Sequence, residues 1–183
     1  GITYQKQAGD DHDVTTFTRI NSYVKAEIID GLNFQADFTY DLTNRNNEYA
    51  YIPVYAFNTW GGNISEPYYG VSQSSTYQTQ TNTKIGRWTT NIFGSYEKTF
   101  NEDHNMKIMA GFTADKEQNR YFYARRTNLN DNDLPELNLA TGTQTVNSSA
   151  SHWATAGFFG RVNYDYKGIY LFEANARYDT SSR

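Results

Sequence analysis

Cysteine is missing from the 183-residue sequence, which excludes a disulfide scaffold and any zinc site built on thiolates. No run approaches 18 apolar residues, so there is no transmembrane helix; barrel strands escape that test, because alternation leaves them little hydropathy signal. Apolar residues make up only 38%, a composition that suits a helical core poorly. The net charge is −4 and no basic stripe is present, so nucleic acid is not an expected partner. A Gly-x-Ser-x-Gly elbow, a phosphate loop, a His-Glu-x-x-His pair and a nucleotide fingerprint are all missing. His12, His104 and His152 lie far apart in the chain. The expectation is a protein that is not an enzyme and carries no cofactor and no metal. Nor does Gly1-Ile2-Thr3-Tyr4 open a signal peptide. Both ends read as cuts, one before a polar stretch and one inside Asp179-Thr180-Ser181-Ser182-Arg183, so the chain reads as a fragment.

What the sequence does have is aromatic residues, 16% of the chain with 16 tyrosines and 11 phenylalanines, beside many Thr and Asn. That mixture suits strands with one wet face. From Ala154 to Tyr166 the even positions are Ala154, Ala156, Phe158, Gly160, Val162, Tyr164 and Tyr166, against Thr155, Arg161, Asn163 and Asp165. After Lys167-Gly168, Tyr170, Phe172, Ala174, Ala176 and Tyr178 alternate with Glu173, Asn175, Arg177 and Asp179. A period of two marks strands, and the pair makes a hairpin. The same parity runs through Phe34, Phe38 and Tyr40 against Asp37 and Asp41, and through Ile108 and Phe112 against Lys107 and Asp115. The pattern predicts six strands, at 17–28, 32–42, 87–100, 105–117, 153–166 and 168–179, with even positions on one face and odd positions on the other.

The reversals differ in length. Asp30-Gly31, Asn101–His104 and Lys167-Gly168 are short, and Asp-Gly is a two-residue hairpin signal. Thr43–Ile85 and Asn119–Ser151 read as long irregular segments. In an up-and-down sheet all short turns then fall at one end and all long loops at the other, the asymmetry of outer-membrane barrels. A strand of about 11 residues, roughly 36 Å long and tilted by ~45°, spans about 25 Å, the height of their apolar band. Tyr40, Tyr164, Tyr166, Tyr170 and Tyr178 fall toward strand ends on the apolar face, as interfacial girdles do. The fold class read here is all-β: antiparallel up-and-down strands forming part of a transmembrane β-barrel. A soluble β-sandwich, serving as a carbohydrate-binding or adhesive domain, shares the alternation and stays the competing reading.

Gly160-Arg161, Asn163-Tyr164, Tyr166-Lys167, Glu173-Ala174-Asn175 and Arg177-Tyr178-Asp179 carry a further signal. This stretch resembles a barrel segment of SusC-like (SusC/RagA family) TonB-dependent outer-membrane transporters, with Thr180 standing where that family usually has glycine. The resemblance implies a barrel of about 22 strands occluded by a plug. It implies a nutrient importer in the outer membrane of a Bacteroidetes-type Gram-negative bacterium. The cargo would be a bulky glycan or sometimes a peptide, import would be energised through TonB, and a SusD-like surface lipoprotein would be the partner. Residues 1–183 would then be one piece of the barrel, without the plug that contacts TonB, and its outer strands would have free edges.

Two acidic clusters carry metal readings beside plainer ones. Asp10-Asp11-His12-Asp13 reads as a solvated acidic loop, and Asp131 with Asp133 as Asx turns, for want of the glycine and distal glutamate of an EF-hand. Ligand contact is read onto the first long loop, where Tyr55, Trp60, Tyr68 and Tyr69 can stack on sugar rings beside Asn58 and Asn63. The plainer reading has these rings packing the loop on its neighbours. Replacing Trp60→Ala in the full-length protein is expected to weaken ligand binding and uptake; unchanged affinity and uptake would contradict the contact.

Overall fold

The computed structural model describes residues 9–53, 55, 56, 66, 67 and 73–182. Six long strands form one sheet: β1 (Asp11–Ile29), β2 (Leu32–Tyr51), β5 (Tyr77–Phe100), β6 (His104–Thr127), β7 (Gln144–Tyr166) and β8 (Tyr170–Ser181). They lie in the order β1-β2-β5-β6-β7-β8, so each strand neighbours the next long one along the chain. Two-residue strands β3 (Tyr55–Ala56) and β4 (Glu66–Pro67) pair antiparallel within the connection between β2 and β5. The chain divides into two compact units. One comprises Gly1–Thr16, Thr43–Lys84 and Arg120–Ala150; the other comprises Phe17–Leu42, Ile85–Asn119 and Ser151–Arg183.

The strands are longer than alternation predicted. The expected irregular segment Thr43–Ile85 contains the end of β2 and the start of β5, and Asn119–Ser151 contains the end of β6 and the start of β7. Asp11 and Asp13, expected in a solvated loop, lie in β1. Side-chain polarity explains the difference. In Thr43–Asn47 and Gln78–Thr83 both faces are polar, so the hydropathy signal vanishes while the backbone ladder goes on.

The short turns decide which way every side chain points. Lys167 and Gly168 both have positive φ, 56° and 66°, and the Ile169 amide donates to the Tyr166 carbonyl at 3.0 Å. That is a type I′ turn. The pairing nevertheless runs Tyr166↔Tyr170, leaving Ile169 as a third loop residue. Even residues therefore stay opposite even ones, as in Tyr164↔Phe172 and Val162↔Ala174. The turn after β5 likewise holds three residues, Asn101–Asp103. At Asp30-Gly31 two residues separate β1 from β2, and only Gly31 has positive φ (79°). Pairing Ile29 with Leu32 would have reversed β2. Instead Arg19 of β1 forks onto Asp41 of β2, odd on odd.

In the second unit this parity biases two chemistries to opposite faces, although odd-numbered Phe17, Tyr23 and Leu171 are exposed as well. Even-numbered Val24, Phe158, Phe172 and Tyr178 are 61%, 62%, 61% and 70% exposed. No large apolar side chain of this unit is buried among the described residues; the buried apolar residues Ala50, Leu129 and Ala140 all belong to the first. Tyr40 packs on Trp88 with ring centres 5.2 Å apart, and the His104 ring lies 4.8 Å from Tyr166 and takes a 2.6 Å hydrogen bond with the Tyr164 hydroxyl. These even-face rings sit at opposite ends of the alternating stretches, as girdles require. The odd face is not wholly polar: Phe93 and Phe159 flank Gly111, where a Cβ would come within 2.3 Å of the Phe159 ring.

Because a one-residue slip sends a whole strand's side chains to the wrong face, deleting Ile169 from the full-length protein should abolish barrel assembly. Ile169→Ser, which keeps the count, should leave assembly intact. Heat-modifiable migration on gels reads both, and a deletion variant that assembles normally would contradict the role given to the loop.

Candidate ligand-facing wall

In the first unit the odd-numbered side chains of β1, β2, β5 and β6 come together. Arg45 forks onto Asp13, with Nε 3.0 Å from each carboxylate oxygen and Nη2 also donating to Oδ2. Asn47 donates to Asp11 Oδ1 at 2.6 Å. These four residues line a hollow of about 340 Å³ together with Thr81, Thr83 and Tyr121. Residues 10–16 and 43–51 carry no apolar alternation. The Arg45 hydrogen bond, more than its charge, holds the Asp13 carboxyl below the usual carboxylate range. The pair therefore stays ionised through neutral pH and opens only as acid carries Asp13 through that lowered value. Being exposed, it orients charge and adds little stability.

Beside this hollow is an aromatic group. Tyr77 stacks on Tyr51, with centres 5.2 Å apart and planes 21° apart, and tilts against Tyr49 at 5.8 Å. The Arg125 guanidinium lies 3.6 Å from the centre of the Tyr77 ring. Burial pushes the Tyr49 phenol above its ordinary value, with neighbouring Tyr77 adding to the shift.

The connection between β6 and β7 is pinned from below. Thr76 is fully buried; its Oγ1 accepts from the Leu129 amide and its carbonyl from the Asn128 amide, both at 2.8 Å. Asn128 takes φ 59°, and its carbonyl accepts from the Thr141 amide at 2.9 Å. Arg126 Nη1 donates to the Leu137 carbonyl at 3.3 Å. Pro53, Leu129 and Ala140 are buried in the same unit. Asp131 Oδ1 accepts from the Asp133 amide at 2.9 Å, an Asx turn.

The second unit's odd face is a ladder of matched charges. Arg19 pairs with Asp41 at 2.6 Å, Lys107 with Glu97 at 3.0 Å and Arg177 with Asp179 at 2.8 Å. Asp115 accepts from Thr89 at 2.6 Å and Arg87 at 3.3 Å. Trp153 Nε1 donates to Glu117 at 3.1 Å, and Arg161 Nε to Asn175 at 2.7 Å. Nothing in this set pairs a nucleophile with a base.

Of the expected ligand contacts, Trp60, Tyr68 and Tyr69 lie outside the described residues, and Tyr55 is placed only as backbone in β3. The Tyr49, Tyr51, Tyr77 and Arg125 group went unread, because its residues fell in segments taken as loops. Continuing the odd parity of β2 beyond Leu42 would have found its first two members.

No protein-family model matches the chain. It is 29% identical over 167 residues to TonB-dependent receptor P3 of Formosa agariphila, covering 90% of this chain and 15% of that one. TonB-dependent receptor P39 of the same organism is 27% identical over 171 residues, with the same coverage. Among solved structures, the RagAB peptide transporter superposes with a TM-score of 0.83 at 16% identity, over 98% of this chain and 19% of that chain. The RagAB peptide importer in its closed-closed state gives 0.84, also at 16%. The chain is similar to TonB-dependent receptors in sequence and to RagAB in fold. The chain spans 15% of the length of the curated relatives it matches, and its six-stranded sheet has the fold of a segment of the RagAB transporter.

Thr76→Val should unlatch the β6–β7 connection, since the Leu129 amide loses a buried acceptor at a cost of ~1–3 kcal/mol. Limited proteolysis of the full-length receptor should cut between residues 128 and 143 faster than in wild type. An unchanged cleavage rate would contradict the latch.

Proposed function

We propose that this chain forms part of the wall of an outer-membrane importer of bulky nutrients, glycans or peptides, energised through TonB. The observation that carries the reading is the two-faced single sheet. Its even face exposes Ile20, Val24, Phe34, Phe38, Phe158 and Phe172, while its odd face carries the paired charges. An apolar surface of that extent is unfavourable in water and favourable against lipid. A soluble sandwich would bury it under a second layer, so that alternative is not favoured. Strands β1 and β8 have one neighbour each in the six-stranded sheet. Lipid cannot satisfy the backbone groups of such edges, so further barrel strands pair with them. On this reading the partners are a SusD-like surface lipoprotein, the TonB complex acting through a plug, and outer-membrane lipid. Trp60, Tyr68, Tyr69 and Tyr55 remain proposed ligand contacts.

Cells making the full-length receptor should take up a labelled oligosaccharide or oligopeptide, and removing TonB or collapsing the proton gradient should stop uptake. Uptake that survives both treatments would contradict an energised importer.

A further inference from the structure

Arg125 differs from the other arginines of the odd face. Arg19, Arg45, Arg87, Arg161 and Arg177 each have a carboxylate within 4.0 Å. Among the described residues Arg125 has none, and its Nε is shielded from solvent without a hydrogen-bond partner. Its neighbour Arg126 is committed to loop carbonyls. What holds Arg125 is the face of Tyr77, and stacking leaves the in-plane N–H fork unspent. A guanidinium fork without a partner matches a planar carboxylate in two parallel hydrogen bonds. Beside it Tyr49 and Tyr51 pack on Tyr77 within the same group. Flat apolar rings beside a cation suit a ligand that joins a ring with C–H groups on its face to a carboxylate.

We infer that Tyr49, Tyr51, Tyr77 and Arg125 form a subsite for a carboxylated oligosaccharide, with the uronate ring against the tyrosines and its carboxylate on Arg125. The inference rests on the importer reading and narrows its cargo to acidic glycans. An acidic peptide would offer Arg125 its charge but bring no ring to the tyrosines.

Calorimetric titration of the detergent-purified full-length receptor tests it, with trigalacturonate, its methyl ester and triglutamate as probes. Wild type should bind trigalacturonate, with the ester weaker by roughly tenfold or more, the size of a lost charge-assisted pair. Arg125→Gln and Tyr51→Ala should each weaken trigalacturonate binding. If Arg125→Gln does not assemble, Arg125→Lys takes its place; it keeps the charge, loses the fork, and should also bind more weakly. Acid and ester bound alike, triglutamate preferred, no trigalacturonate binding, or wild-type affinity in an assembled Arg125 variant would overturn the subsite. TonB-dependent uptake of a different oligomer would still stand in those cases, so failure here is distinguishable from failure of the importer reading.

Discussion

The pleat of a β-strand offers each side chain one of two directions, and in this chain that choice is kept through every short turn. Lys167–Ile169 and Asn101–Asp103 hold an odd number of loop residues, three each, and the Arg19–Asp41 fork shows the same parity across Asp30-Gly31. One residue fewer at any of them would turn Phe172 or Phe34 toward water and Glu173 or Asp37 toward lipid. In hydrocarbon such an exchange is severe, because charges there cannot be solvated. The separation of Tyr40–Trp88 and Phe112–Phe158 on one side from Arg19–Asp41 and Lys107–Glu97 on the other is the result.

Along each strand a second boundary appears. The alternating part covers some 11 to 14 residues, enough for a tilted crossing of about 25 Å. Strands β5 and β6 continue to 24 residues each, roughly 80 Å of extended chain. Outside the alternating parts, β2 and β5 carry polar runs at residues 43–47 and 78–83. The Asp13–Arg45 hollow and the Tyr77 stack lie in these extensions, as does the buried latch at Thr76.

Much of this was legible in the sequence, and the limits have a physical cause. Alternation from Leu32 to Leu42 and from Ala154 to Tyr166 gave faces and strand order, because burial in lipid imposes a period of two. Past Leu42 water wets both faces, so Asn44, Arg45, Asn46 and Asn47 look like loop although their backbone continues the ladder. The tyrosine group was hidden for another reason. Tyr51 and Tyr77 meet only because β2 pairs with β5 across a connection holding β3 and β4, and no local pattern sets that register. Paired charges such as Arg161 and Glu173 were visible as polar positions, while their partners waited on the register of β7 with β8.

The central claim is that residue parity assigns each strand position to lipid or to the aqueous interior. This chain has no cysteine of its own, so spin labels can be placed singly at Phe158→Cys and Asn175→Cys in a full-length receptor otherwise free of cysteine, reconstituted in bilayers. Collision with oxygen, which concentrates in lipid, and with a water-soluble nickel chelate then reads each face. The account predicts that the label at 158 relaxes with oxygen and is protected from nickel, and that the label at 175 does the reverse. Equal nickel access at both positions, or the opposite order, would contradict it.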